Sequence, residues 1–398
     1  MQINILVLCD KDLHETEAGG SRTVIMVNNY LAALEGVTVY SSYRHLSPVD
    51  SRIIEIPLTS NLTKEAINNV IKEKKINILL IPEGGKFAHL GRLAVEGTNC
   101  KVITEFHTKP GFEVHCIWYD VVHDLINNNT SCKKRVYSVI KFLLFPVYRK
   151  YIKIKNLKRF QQAYNDADRL VVLSKPYIEE YKKRYFLNEN HKIAAIENAL
   201  SFNQEITNEE LSMKNNTILI VSRLEERNKR LSIVLKLWSK IYKKYPDWDL
   251  QIVGSGIDEQ LYRKMVDKLE LKNVTFHGQT DPENYYATAS IFLMTSAYEG
   301  WPMSLTEAMQ KGCVPVCMDS FSAVHEIINN NTDGFIVPNN NKKELIKKTE
   351  FLINRPEIRK SMAVNGIINC RRFSMNNIGP KWLALFQQVI LKENNFDE

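Results

Sequence analysis

The sequence predicts an α/β fold built from two doubly wound, Rossmann-like domains that face each other across a cleft. The chain has 398 residues, which is too long for one ordinary domain and long enough for two. Short apolar segments alternate with amphipathic segments in both halves, as in parallel sheets covered by helices. A polar segment, 201–216, separates the two series and is typical of a linker.

The predicted strands divide the chain into two series of similar length. The first series is predicted at 3–9, 37–42, 53–57, 76–81, 101–106, 169–173 and 192–196. The second series is predicted at 217–222, 249–253, 274–277, 291–295, 314–318 and 335–337. We therefore expect domains at 1–205 and 206–375, and a last helix at 376–398 that crosses back to the first domain. The C-terminal stretch 356–392 is predicted to be mostly helical, with a break near Gly379 and Pro380.

Composition indicates a soluble globular protein, since 44% of the residues are apolar and 25% are charged. Met1 leads directly into an apolar strand, so we expect no signal peptide, and no apolar run approaches the length of a membrane span. The seven cysteines have no zinc-binding spacing and are expected to be buried thiols in a reducing cytoplasm. A cytoplasmic protein is the expectation.

The net charge of +8 is concentrated in one segment. Residues 133–160, which we call the basic segment, contain ten Lys and Arg residues, no Asp or Glu, and interleaved Tyr and Phe. Such a helical segment can lie on an anionic membrane surface, at the inner face of the cell membrane. The same pattern is compatible with nucleic-acid contact, or with the solvated face of an ordinary packed helix.

The segment 296–316 carries the strongest functional signal. A predicted strand runs into a loop with Glu299, and Pro302 can occupy the first position of the helix that follows. Free N–H groups and the helix dipole make such a helix start a site for anions. Glu307 lies ~7.5 Å further along the helix axis at ~1.5 Å per residue. A nucleotide diphosphate sugar fits between the two carboxylates, although each of them alone is compatible with an ordinary solvated charge.

Three further features follow other strands of the second series, at the same edge of the predicted sheet. Arg223 and Lys229 follow the first strand and can supply two cations to a diphosphate. Gly254 and Gly256 follow the second strand and permit close approach of backbone amides to a ligand. Gly278 and Gln279 follow the third strand.

In the first series, Gly19 and Gly20 precede the first helix, and His107 ends the strand at 101–106. Both positions lie at the ligand-binding edge of a doubly wound sheet. The two glycines are equally compatible with a plain turn, and a single strand-end histidine with a structural role.

These residues resemble a known family. Glu299 and Glu307 at E-x₇-E spacing, followed by Ala308, Gly312 and Pro315, with SRL at 222–224 and G-x-G at 254–256 upstream, are similar to the retaining GT-B glycosyltransferases of family 4. The resemblance spans nearly the whole chain and is strongest from about 217 to 338. It implies an acceptor-binding first domain and a second domain that binds a nucleotide sugar.

The resemblance also implies roles for single residues. The catalytic set would be Glu299, Arg223, Lys229 and His107. The donor-binding set would be Glu307, Gly254, Gly256, Gly278, Gln279, Gly300, Trp301, Pro302, Met303, Ser304, Gly19, Gly20 and Asn198. Arg223 and Lys229 would neutralise the diphosphate, Glu307 would bind the ribose and Glu299 the sugar. The Arg-to-Lys spacing is one residue longer than in many members, so either Lys229 or Arg230 takes the second cationic role.

The function implied is a metal-independent, retaining hexosyltransferase without a separate cofactor. It would transfer a hexosyl unit from a nucleotide sugar, with UDP as the expected nucleotide, to a glycan or polyprenyl-linked acceptor in surface polysaccharide synthesis. A nucleotide-sugar epimerase of the same fold and a basic nucleic-acid-binding protein are the alternatives. The second alternative leaves Glu299 and Glu307 unexplained, and we expect no nucleic-acid partner.

Overall fold

The computed structural model describes residues 2–9, 12–13, 19–44, 50–58, 62–82, 84–85, 87–115, 117–126, 131–187, 192–202 and 204–391. The chain divides into two compact units. Unit 1 comprises Met1–Ala199 and Phe373–Glu398, and unit 2 comprises Leu200–Arg372. Each unit contains one parallel sheet flanked by helices, so the prediction of two doubly wound α/β units is confirmed.

The strands follow the predicted series, with ends that differ by at most two residues. They are β1 Ile3–Val7, β2 Val37–Ser41, β3 Ile54–Glu55, β4 Ile78–Ile81, β5 Lys101–Phe106, β6 Arg169–Val172, β7 Ile193–Ala195, β8 Asn215–Val221, β9 Asp249–Val253, β10 Val274–Gly278, β11 Ala289–Met294, β12 Val314–Asp319 and β13 Phe335–Pro338. The largest shortening is at β3, an edge strand whose two residues are both exposed.

The helices connect these strands. They are α1 Gly19–Ala32, α2 Lys64–Glu73, α3 Ala88–Ala94, α4 Phe112–His115, α5 Ile117–Ile126, α6 Cys132–Leu143, α7 Phe145–Asp166, α8 Lys175–Tyr185, α9 Asn208–Ser212, α10 Glu226–Lys229, α11 Leu231–Ile241, α12 Glu259–Lys268, α13 Glu283–Thr288, α14 Met303–Gln310, α15 Val324–Ile327, α16 Lys342–Asn354, α17 Pro356–Cys370 and α18 Met375–Leu391. A 3₁₀ turn, Arg371–Phe373, lies between α17 and α18. None of the helices in the described residues is both long and apolar enough to span a membrane.

The sheet of unit 1 has the strand order β3-β2-β1-β4-β5-β6-β7, and all its described pairs are parallel. The order reverses between β1 and β4. The connections on either side of this point leave in opposite directions, which opens a crevice at the carboxyl ends of the strands. Gly19 begins α1, directly after β1 in the fold.

Helix α18 belongs to unit 1, although it follows unit 2 in the chain. Its residues Trp382 and Phe386 lie in the same hydrophobic cluster as Ile5 of β1. The predicted break at Gly379 and Pro380 is wrong, because both residues lie inside α18 and the interruption is at Arg371–Phe373.

Close packing between α18 and α1 explains why position 379 is a glycine. A Cβ atom there would lie 2.1 Å from the ring of Tyr30, so only glycine lets α18 approach α1 this closely.

The sheet of unit 2 has the order β10-β9-β8-β11-β12-β13 and is also parallel. Its core includes Trp238 and Leu235 of α11. The predicted linker 201–216 is wrong in part. It contains α9, which starts with a capping box in which Thr207 and Glu210 satisfy each other's backbone N–H groups, and its end already belongs to β8.

The prediction of buried cysteines is confirmed for five of the six in the described residues. Cys9, Cys100, Cys313, Cys317 and Cys370 are buried and form no disulfide, whereas Cys132 is exposed, so the prediction is wrong there.

Candidate functional site

The loops after β8 and β9 are packed directly against each other at the carboxyl edge of the unit 2 sheet. Leu224 N–H donates to the Ser255 carbonyl at 2.8 Å, and Gly254 N–H to the Gly278 carbonyl at 2.7 Å. A Cβ at Gly254 would lie 2.0 Å from the Ser222 carbonyl oxygen, and Gly254 has φ +126°. A Cβ at Gly256 would lie 2.5 Å from the Leu224 carbonyl oxygen.

These two glycines are therefore required for loop-to-loop packing. From the sequence, we expected glycine at these two positions because it lets backbone amides approach a ligand. The structure gives a different reason, the packing of one loop on the other. Their packing fixes the backbone on both sides of Arg223.

Arg223 projects from this fixed loop. Its side chain is 68% exposed, and its only ion pair in the described residues is with Glu225, at 3.2 Å. A guanidinium held by its backbone and open to solvent can bind a phosphate group at little cost in reorganisation.

Lys229 and Glu299 form a shielded ion pair. Lys229 Nζ donates to Glu299 Oε1 at 2.6 Å, and their side chains are 15% and 12% exposed. The two sequence motifs that contain them, 70 residues apart, are therefore in direct contact.

Arg230 holds the loop that carries Glu299. Its guanidinium donates to the carbonyls of Thr295 and Ser296, each at 2.6 Å, and to Asn339 and Asn340 at the end of β13. Burial lowers the pKa of this guanidinium. Because Arg230 is committed to these contacts, Lys229 is the better candidate for the second cationic role.

Helix α14 starts beside this pair, one residue later than predicted. Pro302 is the N-cap, with φ −76° and ψ 101°, so it does not occupy the first helical position. The first turn still presents N–H groups that have no partner within the helix. Gly300, Trp301 and Pro302 are buried, Met303 is 9% exposed, and Ser304 is half-buried.

Glu307 points into unit 2. It is 4% exposed, and its two carboxylate oxygens accept hydrogen bonds from Ser201 Oγ at 2.6 Å and Tyr286 OH at 3.0 Å. The alternative interpretation of Glu307, as an ordinary solvated charge on the helix, is thus wrong. Neither Ser201 nor Tyr286 was singled out in the sequence, because both partners are distant in the chain.

Gly278 and Gln279 complete this edge. Gly278 ends β10 with φ +69°, a conformation that favours glycine, and Ser255 Oγ donates to Gln279 Oε1 at 3.3 Å. Gln279 therefore joins the same loop cluster as Gly254 and Gly256.

Unit 1 has a cavity of about 340 Å³ at the carboxyl end of its sheet. Gly20 and His107 both line it, as do Glu113 and Arg159, which the sequence interpretation missed. His107 Nε2 lies 3.3 Å from Glu105 Oε2. Burial raises the pKa of the Glu113 carboxyl, and the charges of Arg184 and Arg159 oppose that shift. Asn198 is 5% exposed and lies in unit 1 as well.

The basic segment forms most of α6 and α7. Only Ser138 is buried in α6, and the buried residues of α7 are confined to its C-terminal part. The large apolar side chains that are at least 43% exposed here are Val136, Tyr137, Val139, Ile140, Phe142, Leu143, Leu144, Val147, Tyr151 and Ile154. The interpretation as an ordinary packed helix with a solvated basic face does not explain this exposed apolar surface.

Groups of three or more His, Cys, Asp or Glu side chains suited to a metal ion are absent from the described residues. The expectation of a metal-independent reaction stays a prediction.

Residues 201–368 match the family model described as glycosyl transferases group 1. This match covers unit 2 and includes the Lys229–Glu299 pair and Glu307.

Two curated relatives and one solved structure are similar to the chain. An uncharacterized glycosyltransferase of Haemophilus influenzae is 29% identical over 56% of this chain. The Campylobacter jejuni enzyme named GalNAc-alpha-(1->4)-GalNAc-alpha-(1->3)-diNAcBac-PP-undecaprenol alpha-1,4-N-acetyl-D-galactosaminyltransferase is 27% identical over 57% of it. The matched region spans 62% of the length of each relative.

The structure of Anabaena Alr3699/HepE in complex with UDP covers 98% of this chain and 100% of its own, with a TM-score of 0.68 and 14% identity. At this identity the similarity concerns the fold, and it confirms the predicted GT-B fold class.

Proposed function

We propose that the chain is a retaining, metal-independent glycosyltransferase of family 4 that transfers a hexosyl unit from a nucleotide sugar. The observation that carries the proposal is the direct contact of Lys229 with Glu299 beside the start of α14, within the segment matched by the glycosyltransferase family model. This arrangement supplies a cation, a carboxylate and helix N–H groups at one edge of a parallel sheet, where ligands of doubly wound folds bind.

In the proposed reaction, Arg223, Lys229 and the N–H groups at the start of α14 stabilise the charge on the departing diphosphate. An acceptor hydroxyl oxygen bonds to the anomeric carbon while the bond from that carbon to the diphosphate oxygen breaks. Attack from the leaving-group face lets a phosphate oxygen take the hydroxyl proton, so no side chain is needed as a base. Fixed charges of this kind commonly supply the largest catalytic contribution.

The donor contacts assigned to single residues are part of the proposal. Glu299 binds donor-sugar hydroxyls and orients Lys229, and Glu307 binds the ribose. Ser201 and Tyr286 already hold the Glu307 carboxylate in one orientation, which supports a positioned acceptor of hydrogen bonds. A UDP-linked donor is supported by the UDP in the similar Anabaena structure.

The acceptor is proposed to be a glycan or a polyprenyl-linked sugar used for surface polysaccharide, bound by unit 1. The name of the Campylobacter jejuni relative specifies a PP-undecaprenol-linked acceptor, which supports this class. The cavity that contains His107 and Gly20 is the proposed location of the reacting acceptor group.

We also propose that α6 and α7 attach the enzyme to the inner, anionic face of a membrane. The exposed apolar side chains of these two helices would enter the membrane interface while their Lys and Arg residues contact lipid headgroups. A nucleic-acid surface would use the cations and leave that apolar surface uncovered, so lipid is the better partner.

The test that separates a transferase from an epimerase is a turnover assay with a UDP-sugar, with and without a polyprenyl-linked acceptor. The proposal expects UDP release that increases with acceptor, and a product that keeps the anomeric configuration of the donor. Conversion of the UDP-sugar into its epimer, without sugar transfer, would identify the epimerase instead.

A further inference from the structure

A second cavity of unit 1, of about 480 Å³, has an unusually cationic lining. Lys109, Arg149, Lys153 and Arg184 line it, and the lining includes no Asp or Glu from the described residues. These cations come from the loop after β5 and from helices α7 and α8. We call it the cationic cavity. Four positive charges on one concave surface favour an anionic ligand.

Two features give the cationic cavity a defined shape. The Arg184 guanidinium lies on Gly111, where a Cβ atom would be 2.1 Å from Arg184 Cζ and where φ is +80°. Arg149 and Lys153 are four residues apart on α7, so both project from one face of it. Within the described residues neither of them forms an ion pair, and both are exposed to solvent. Their charges are thus available to a ligand.

The wall of the cationic cavity continues into the exposed apolar surface of α6 and α7. Trp118 and Phe145 line the cavity and contact each other, with ring centroids 4.8 Å apart. Trp118 also lies 5.3 Å from Phe142, which belongs to the exposed surface. A ligand that fits both surfaces carries a phosphate head and an apolar chain.

On its other side, the cationic cavity leads towards His107. Lys153 and Arg184 also line a neighbouring cavity of about 540 Å³ that reaches Glu113. Glu113 in turn lines the cavity that contains His107. A sugar attached to the phosphate head would extend along this series of cavities.

From these observations we infer that the cationic cavity binds the diphosphate head of a lipid-linked acceptor, with the lipid chain on the exposed apolar surface of α6 and α7. This inference rests on the proposed glycosyltransferase function and specifies the chemistry of its acceptor. Lys109, Arg149, Lys153 and Arg184 bind the diphosphate, and Trp118 and Phe145 contact the first part of the chain.

The test is calorimetric titration of the full-length protein with farnesyl diphosphate and, separately, with inorganic diphosphate. We expect farnesyl diphosphate to bind about tenfold or more tightly than inorganic diphosphate, because only the former covers the apolar wall. The double variant R149E/K153E should weaken farnesyl diphosphate binding by about tenfold or more, since charge-assisted hydrogen bonds are lost. The milder double variant R149Q/K153Q is a control for misfolding, and it should also weaken the binding of farnesyl diphosphate.

The matched control is K150E/K158E, which changes the net charge of α7 equally at two exposed positions outside the cationic cavity. It should change the affinity less than about twofold. Equal losses in both double variants would overturn the inference in favour of general charge attraction. Equal affinities for the two ligands would assign the cavity to free phosphate rather than to a lipid head.

Acceptor-independent UDP release from a UDP-sugar separates this inference from the proposed function. The K150E/K158E control variant should release UDP at the wild-type rate. A wild-type protein that binds farnesyl diphosphate but releases no nucleotide would reject the glycosyltransferase function and leave the anion site standing.

Discussion

Lys229 and Glu299 show what the sequence could and could not predict about single residues. Both were chosen because each follows a strand of the same predicted sheet, and the structure brings them within 2.6 Å. Arg230, the alternative to Lys229, could be assigned to loop anchoring only from its contacts with Thr295 and Ser296. Such tertiary hydrogen bonds leave no local pattern in the sequence.

Breaking this ion pair should destabilise unit 2 and abolish transfer. Lys229→Met removes the lysine partner of the shielded Glu299 carboxylate, at a cost of about 1–3 kcal/mol in the free energy of unfolding. Denaturant unfolding of K229M, E299Q and the double variant measures the coupling. We expect the double variant to regain stability relative to either single variant but not activity. Simple additivity of the two losses would show that the pair is not coupled.

Glu307→Ala should weaken nucleotide-sugar binding by about tenfold or more, as expected for the loss of hydrogen bonds to a charged group. It also removes the hydrogen bond between the buried Tyr286 hydroxyl and Glu307, so some loss of stability is expected. Tyr286→Phe is the matched control, because it removes the same hydrogen bond but keeps the carboxylate. Affinity for UDP, measured by calorimetry, should fall in E307A and change little in Y286F. An unchanged affinity in E307A would reject the ribose role.

Arg223→Ala should lower kcat by roughly 10²-fold, at least as much as it raises KM, because the guanidinium acts on charge that develops in the transition state. Stability should change by less than about 0.5 kcal/mol, since the side chain is 68% exposed. Lys236→Ala, at an exposed position of α11, is the control and should leave both kinetic constants unchanged. A pure KM effect in R223A would argue against the role in the transition state.

Among the elements, regular strands and helices were predicted best, because apolar periodicity is a local property of the sequence. The errors have specific causes. Pro380 with Gly379 indicated a helix break, whereas Gly379 is needed for the approach of α18 to Tyr30. Helix α9 was missed although its signal was present, since Thr207 and Glu210 have the spacing of a capping box. Pro302 was placed one residue too far into α14.

The loop after β9 offers a sharp test at two glycines. Gly254→Ala would place a Cβ 2.0 Å from the Ser222 carbonyl at φ +126°, so the loop around Arg223 must shift. We expect a large loss of stability and of donor binding. Gly278→Ala also has positive φ, at +69°, but its Cβ would meet nothing within 4 Å. It should cost only about 1 kcal/mol. Similar melting temperatures for the two variants would contradict the packing role of Gly254.

At the scale of the whole chain, the candidate site features of unit 2 were predictable from the sequence, whereas the cavities of unit 1 were not. The motifs of unit 2 lie within short loops at strand ends, so the order of the strands along the chain indicated which motifs are neighbours. The surfaces of unit 1 are assembled from α4, α5, α7 and α8, and no short motif describes the cavities among them. The positive charge of the basic segment could be read from the sequence. Which of its apolar side chains are exposed became clear only from the structure of α6 and α7.

Membrane attachment through this segment should depend on lipid charge. In vesicle co-sedimentation, we expect the protein to bind vesicles rich in anionic lipid and to dissociate as ionic strength rises. Replacing Leu143 and Val147, which are 72% and 66% exposed, with Ser should weaken binding even at low salt. If vesicle binding depends neither on lipid charge nor on these substitutions, attachment through α6 and α7 is rejected.

The most direct test of the central proposal is nucleotide release from a panel of UDP-, GDP- and ADP-sugars, by the wild-type protein and by R223A and K229M. We predict release of one nucleotide, UDP, that is accelerated by a polyprenyl-linked acceptor and strongly reduced in both variants, while K236A behaves as wild type. Absence of nucleotide release from every donor, or release that is unaffected by R223A and K229M, would contradict the account.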